Sequence, residues 1–341
     1  MSSPDRFLWI SEAEAASLVD METAIAALDD VLRLEAAGQA GNMTKTHVAW
    51  TGGSLHAIGA TARSLGIAVT KTWVNTPRGS TPLVLLFDAA AGRLLAVIEF
   101  FALGQLRTSG ISGIATRALA REDARTFALI GTGEQALPQA AAVAAVRPLA
   151  AIRVFSRDAE RREAFARRVE AALRIRTTAA PSVAEAVRGA DIVTLATRAT
   201  EPFLFSDMVA PGTHVNAVGA ITPERAEFEP GLLARCAVLA VDNVAQVRAL
   251  SSEFTAYFAT GAQDWSAVTP LAALVAGAKT RPQEADLTLF KAMGMGISDL
   301  AVALRCYRAV LERGLGRPIP HPVRASLRLG PANTTSGGVE R

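Results

Sequence analysis

Three small residues at fixed spacing carry the first chemical signal. In GTGEQA, Gly131 permits a tight turn, Gly133 lets the backbone approach a pyrophosphate, and Ala136 permits close packing of a helix on the preceding strand. The strand FALI leads into this turn and an alanine-rich helix follows, so that helix-terminal amides would meet phosphate charge. Thr132, Glu134 and Gln135 complete the loop, and the whole context predicts a dinucleotide site. The next strand, IRVFSRD, carries Ser156 and Arg157 where an acidic residue would grip the ribose hydroxyls of NAD. A phosphate is the better guest there. Arg157, with Arg161, can neutralise the 2′-phosphate of NADP while Ser156 donates a hydrogen bond, so NADPH is expected to be preferred, with NADH possible. The competing reading of Arg157 is a solvated helix-start residue. GAKT at 277–280 imitates the tail of a phosphate-binding P-loop, but Ala278 stands where the second glycine is required.

Other chemistries find less support. The four histidines, His47, His56, His214 and His321, are too scattered for a ligand set, and no metal is expected. Cys236 and Cys306 sit in apolar surroundings without CxxC spacing and read as buried thiols. The net charge of +3 invites a nucleic-acid reading, yet the arginines form no basic stripe and only 6% of residues are aromatic, so no nucleic-acid partner is expected. RDAERREAFARRVE alternates charge signs as a solvated helix face does. No apolar run approaches the ~18 residues needed to cross a bilayer, and MSSPDRFLWI lacks a signal core, so the expected location is the cytoplasm.

The elements that must position these residues divide in two. Ser11 with Glu14 forms a capping box, and Asp20 starts a second helix that Gly38 stops. Short β-patterned runs follow, including IAVTKTWVN and PLVLLFD, separated by GGS, NTPRGS and AAAG turns. A small-residue helix over about 102–120 then leads to alternating strands and helices, with FALIG, IRVFS, a short strand near Ile175, DIVTLAT, HVNAVG and AVLAVD as the strands. Such alternation signals a parallel sheet with helices on both faces and ligands at its βα turns. The expected fold class is therefore α/β, a Rossmann-type dinucleotide-binding domain (121–296) beside an α+β, β-rich domain (1–120 and 297–328), to which the resemblance described next adds the roles of substrate binding and dimerisation, with a frayed tail at 329–341. The helix from about Ile297 to Arg313 is expected to return and pack on the first domain.

The chain resembles the ornithine cyclodeaminase/μ-crystallin superfamily over nearly its whole length. Six separated signatures carry the resemblance in order: VTKTW, LLFDAAAGRLLAVIE, LRTSGISGIATRALAREDA, GTGEQA, HVNAVGA and LTLFKAMGMGISDL. It implies a homodimer, NAD(P) held in the second domain, and hydride chemistry on amino or imino acids. Lys71 matches the lysine facing the substrate carboxylate and nicotinamide, and Arg107 the arginine of the R-T-A-A turn, here RTSG. Lys45 falls where the family often has a third cation. The resemblance also implies that Thr108 helps hold the pyrophosphate, that Ala196 and Thr197 line the nicotinamide ribose, and that Val218 and Gly219 end the neighbouring strand. Lys291 to Gly294 would approach the nicotinamide.

One departure is chemical. Ornithine cyclodeaminases carry an aspartate after the V-G-A/G turn, in a D-x-P-G-K context, whereas VNAVGAITPER has Ile221 there and Glu224 and Arg225 after Pro223. An isoleucine cannot act as a general base. The sequence thus describes a site without that acid, and GAITPERAEF resembles the branch that reduces cyclic ketimines such as Δ1-pyrroline-2-carboxylate and Δ1-piperideine-2-carboxylate. Other amino-acid or opine-type dehydrogenases, and a μ-crystallin-like ligand-binding protein, remain open alternatives.

Overall fold

The computed structural model describes residues 6–329, so the tail expected beyond Leu329 lies outside the described residues. The chain opens with β1 (Arg6–Ile10), α1 (Glu12–Leu18), α2 (Met21–Ala36), β2 (Ala40–Asn42), β3 (Thr46–Trp50), β4 (Gly53–Ala62), β5 (Ile67–Thr76), β6 (Gly79–Ser80), β7 (Leu83–Asp88), β8 (Leu94–Glu99) and α3 (Phe101–Leu119). The first two helices start where the capping residues dictate: Ser11 and Glu14 cap each other's backbone amides, and Asp20 accepts from the Thr23 amide at 2.8 Å. Gly38, at φ +69°, turns the chain out of α2.

A second run follows: β9 (Thr126–Ile130), α4 (Ala136–Val146), β10 (Ala151–Phe155), α5 (Ala159–Leu173), β11 (Arg176–Ala179), α6 (Val183–Val187), β12 (Ile192–Leu195), β13 (His214–Ala217), β14 (Cys236–Val241), α7 (Val244–Leu250), α8 (Ser252–Ala259), β15 (Val268–Pro270), α9 (Leu271–Val275) and β16 (Leu287–Lys291). The long helix α10 (Gly296–Arg313) and β17 (Arg317–Pro320) complete the described elements.

Two sheets result, one mixed and one parallel, as the α/β reading requires. The first runs β17-β1-β8-β7-β5-β4-β2, with β3 added on β4 and β6 on β5; every pairing is antiparallel except β1 with β8. The second is wholly parallel, in the order β11-β10-β9-β12-β13-β16-β14-β15. Along β9, Phe127 and Leu129 join one apolar cluster while Ala128 and Ile130 join another, so the sheet is buried on both faces. Consecutive strands leave β9 toward β10 on one side and β12 on the other. That reversal opens a crevice beyond their carboxyl ends.

The strand β16 was not among the strands expected from the sequence, where LTLFK stands only within the signature LTLFKAMGMGISDL. All five residues are buried, as are those of β12 and β13, so its burial does not set it apart; its neighbours in the sheet lie far back along the chain. It inserts between β13 and β14.

Helix α3 bridges the two halves. Its small residues allow close approach: a Cβ on Gly110 would meet Leu28 of α2 at 2.6 Å, and one on Gly113 would meet the Ala142 carbonyl of α4 at 3.1 Å. Buried Arg147 closes its far end by donating to the carbonyls of Arg117, Ala120 and Arg121. After β16 the chain returns to the first sheet, where α10 packs on α2, α3, β4 and β5. Gly296 makes this crossing possible, because a Cβ there would lie 1.9 Å from the Gly59 carbonyl oxygen of β4. Among the described residues no helix is long and apolar enough to cross a membrane.

Gly296→Ala forces two backbones apart and is expected to destabilise the fold by about 1–3 kcal/mol, as overpacking does. A reduced denaturation midpoint is the readout, and an unchanged midpoint would contradict the close crossing.

Candidate active site

The turn after β9 has the shape that a pyrophosphate needs. Gly131 adopts φ +118°, and a Cβ there would come within 2.4 Å of the Ala196 carbonyl oxygen, so only glycine lets the β9 and β12 turns touch. Around Gly133 the opposite holds: nothing lies within 4 Å of a built Cβ, which leaves an open cradle beside the backbone. No side chain caps α4, leaving its first turn available to an anion. Thr132 and Gln135 are half-buried and Glu134 exposed along this loop. The Thr108 hydroxyl donates to the Gly104 carbonyl at 2.8 Å and retains its acceptor capacity.

At the end of β10, Arg157 and Arg161 are exposed, and Ser156 Oγ donates to the Asp158 carbonyl at 3.3 Å. Arg162, not singled out in the sequence, donates from Nη1 to the Ser156 carbonyl at 2.7 Å and stacks 5.5 Å from the Phe155 ring. Its arginine-rich helix gives no sequence signal that separates it from its neighbours.

Across the crevice, a buried carboxylate fastens the next two turns. Glu227 Oε1 accepts from the Thr197 amide at 2.7 Å and hydroxyl at 2.8 Å, while Oε2 accepts from the amides of Gly219 at 2.8 Å and Ala220 at 3.1 Å. Burial raises the Glu227 pKa, against the opposing pull of Lys291 and these hydrogen bonds. Ala196 and Thr197 are half-buried at the rim, Val218 is buried, and a Cβ on Gly219 would strike the Thr197 carbonyl oxygen at 2.2 Å. Ile221 packs on the apolar cluster beneath.

The Lys291 side chain is fully buried, 3.4 Å from Glu253 Oε1 and 5.8 Å from the Phe228 ring, so its ammonium is paired in the core while its backbone ends β16 beside Ala217 of β13. Gly294 is the member of this segment that lies against Arg107, with 3.4 Å between Nη1 and a built Cβ. The amides of Met293 and Gly294 are in turn held by Asp242 at the end of β14.

The three cations converge, and they do so around an acid. Lys71 Nζ on β5 donates to Asp299 Oδ1 of α10 at 2.7 Å. Arg107 Nε of α3 lies 3.0 Å from the same oxygen, and its Nη1 donates to Ser298 Oγ at 3.4 Å. Trp73 and Phe100 flank the Lys71 ammonium at 5.0 Å and 5.7 Å from their ring centres. Burial pushes the Lys71 pKa down to about 8, helped by the Arg107 charge and opposed by Asp299. Lys45 adds to this field: burial, then Arg107, lowers its pKa while Asp242 and Asp299 pull the other way. Nearby, burial and then the Asp242 charge raise Glu35 to about 7, and its carboxylate accepts from Asn42 Nδ2 at 2.8 Å.

The site therefore lacks an acid at Ile221 but not elsewhere. Asp299 went unassigned although it stands in the quoted segment GMGISDL; a lone acid in the apolar run GISDLAVAL was its signal. Asp299 balances one of the two adjacent cations, leaving a surplus of positive charge that can seat a small carboxylate. Among the described residues no group of three His, Cys, Asp or Glu side chains is placed to hold a metal.

Residues 8–314 match the model of the Ornithine cyclodeaminase/mu-crystallin family. A Bacillus cereus Delta(1)-pyrroline-2-carboxylate reductase is 34% identical over 70% of this chain and 73% of its own. The Mus musculus ketimine reductase mu-crystallin is 36% identical over 66% of this chain and 68% of its own. The structure of the Thermococcus litoralis Delta(1)-pyrroline-2-carboxylate reductase, in complex with NADH and L-proline, superposes with a TM-score of 0.87 at 27% identity, covering 92% of this chain and all of that one.

Because the Lys71 pKa is lowered from its ordinary 10.5 to about 8, its charge is present below that pH and lost as pH rises through it. Affinity for cyclopentanecarboxylate, a carboxylate with no other titrating group, is expected to fall roughly tenfold above pH 8, the loss of one charge-assisted contact. Lys71→Arg keeps its charge and should abolish that fall; an unchanged inflection in the variant would assign it to another group.

Proposed function

The chain belongs to the ornithine cyclodeaminase/mu-crystallin family, and we propose that within it the protein reduces cyclic ketimine carboxylates, Δ1-pyrroline-2-carboxylate and Δ1-piperideine-2-carboxylate, to L-proline and L-pipecolate with NADPH. The observation that carries this reading is the pairing of a carboxylate seat, Lys71 with Arg107, with an apolar Ile221 packed at the turn where cyclodeaminases carry their aspartate. A cyclic ketimine has its nitrogen already in the ring. No water need be activated and no ammonia expelled, so that aspartate is dispensable.

The bound cofactor would supply the hydride; the chain's residues supply everything around it. Gly131, Gly133 and the α4 amides would receive the pyrophosphate, Glu227 keeps the Thr197 and Gly219 turns in register, and Ile221 forms a dry wall. Lys71 and Arg107, with Lys45 behind them, would orient the substrate by its carboxylate, and such orientation supplies much of the rate. The names of the Bacillus and Thermococcus relatives support the substrate class. The Thermococcus complex contains NADH; the preference for NADPH rests on Ser156 and the exposed Arg157 of this chain.

Residues 121–296 would hold the cofactor, and 1–120 with 297–328 the substrate and a second copy of the chain. Support for a twofold homodimer comes from Val48, Leu55 and Val74, which are cross-strand neighbours on one face of β3, β4 and β5 and are 67%, 44% and 41% exposed. A cytoplasmic location accords with the two free, buried cysteines.

The test is NADPH oxidation with each ketimine at millimolar concentration. Turnover is expected with at least one, ornithine should yield no ammonia, and Arg157→Ala should raise the KM for NADPH about tenfold while sparing NADH. No oxidation with either ketimine would overturn the substrate reading, and equal loss with both cofactors the role of Arg157.

A further inference from the structure

Asp299 has one oxygen in use and one idle. Oδ1 takes the ammonium of Lys71 and lies against Arg107 Nε, whereas Oδ2 is buried and has no hydrogen-bond partner. The residue is 1% exposed in the first turn of α10, so water does not compensate the idle oxygen from bulk solvent. A buried charged acceptor left unpaired costs free energy, and its presence beside a ligand seat signals a donor that arrives with the ligand.

We propose that Oδ2 of Asp299 receives the substrate nitrogen, as the N–H of the protonated imine before reduction and as the N–H of the amine that hydride addition leaves, which takes one further proton from solvent to become the ammonium of the product. This inference rests on the ketimine reading above. In such a substrate the carboxylate and the ring nitrogen are bonded to the same carbon, so a carboxylate drawn to the two cations around Oδ1 brings the N–H to the neighbouring oxygen. Asp299 gives and takes no proton in this role. It favours the protonated imine, the form whose carbon is more electrophilic, by offering the nitrogen a charged acceptor from α10. The helix end assists, since a carboxylate in the first turn of a helix is favoured by the backbone dipole.

The experiment compares two ligands that differ only in the nitrogen, L-proline and cyclopentanecarboxylate, by calorimetry at pH 7 with the wild-type protein and with Asp299→Asn. Wild type should prefer L-proline by about tenfold or more, and the variant should lose that preference to within about threefold, the size of one charge-assisted contact. Damage to Lys71, Arg107 or the fold would weaken both ligands alike and leave the ratio unchanged, which would overturn the proposal. So would a wild-type protein without nitrogen preference; failure of wild type to bind either ligand would remove the ketimine reading itself and this proposal with it. Should the variant not fold, the 15N resonance of labelled L-proline bound to wild type gives a second measurement. Its titration should move to higher pH than in free L-proline, and an unmoved titration would reject the contact.

Discussion

Two cations brought out of water into one small volume would repel each other, and the carboxylate of Asp299 is what lets this chain do it. Lys71, Arg107 and Asp299 come from β5, α3 and α10, elements far apart in sequence, and they meet through a single oxygen. Removing either sign from such a buried group leaves an uncompensated charge, so the arrangement stands or falls as a unit. Burial, with the Arg107 charge, lowers the Lys71 pKa against the pull of Asp299. Two cations around one carboxylate keep a positive surplus suited to one small anion.

Backbone closeness is the condition under which those three elements can meet. Helix α10 crosses β4 at a glycine-on-glycine contact, Gly296 against Gly59, and its Ile297 amide is received by Asn42 Oδ1 from β2. These two contacts fix where the first turn of α10 sits. Asp299 follows three residues after Gly296, so the same crossing sets the carboxylate beside Lys71. On the other side, Gly110 and Gly113 seat α3 between α2 and α4 and so fix the helix that carries Arg107.

The crevice of the parallel sheet obeys a related economy. Gly131 brings the β9 turn against the β12 turn, and Gly219 brings the β13 turn against it from the other side. Glu227 then accepts four hydrogen bonds from the turns that end β12 and β13, fixing backbone that would otherwise be loop. Such a rigid rim is what the proposed chemistry asks for, since a ketimine needs placement more than it needs activation.

Local signals in the sequence determined most of the elements and one edge of the site. Capping residues fixed the starts of α1 and α2, the glycine spacing of GTGEQA announced the turn after β9, and alternation of strands and helices announced a parallel sheet. The missing aspartate at Ile221 was legible only through the resemblance to the cyclodeaminases, which says where that acid would stand. Tertiary structure alone decided what each charge faces. Lys291 and Lys71 are both strand lysines in sequence, yet one is sealed against Glu253 in the core and the other meets Asp299 at the site. The place of β16 between β13 and β14 and the partners of Asp299, Glu227 and Asp242 lie too far along the chain for any periodicity to announce. Ionic pairing depends on distance in space, which the order of residues constrains only after the fold has closed.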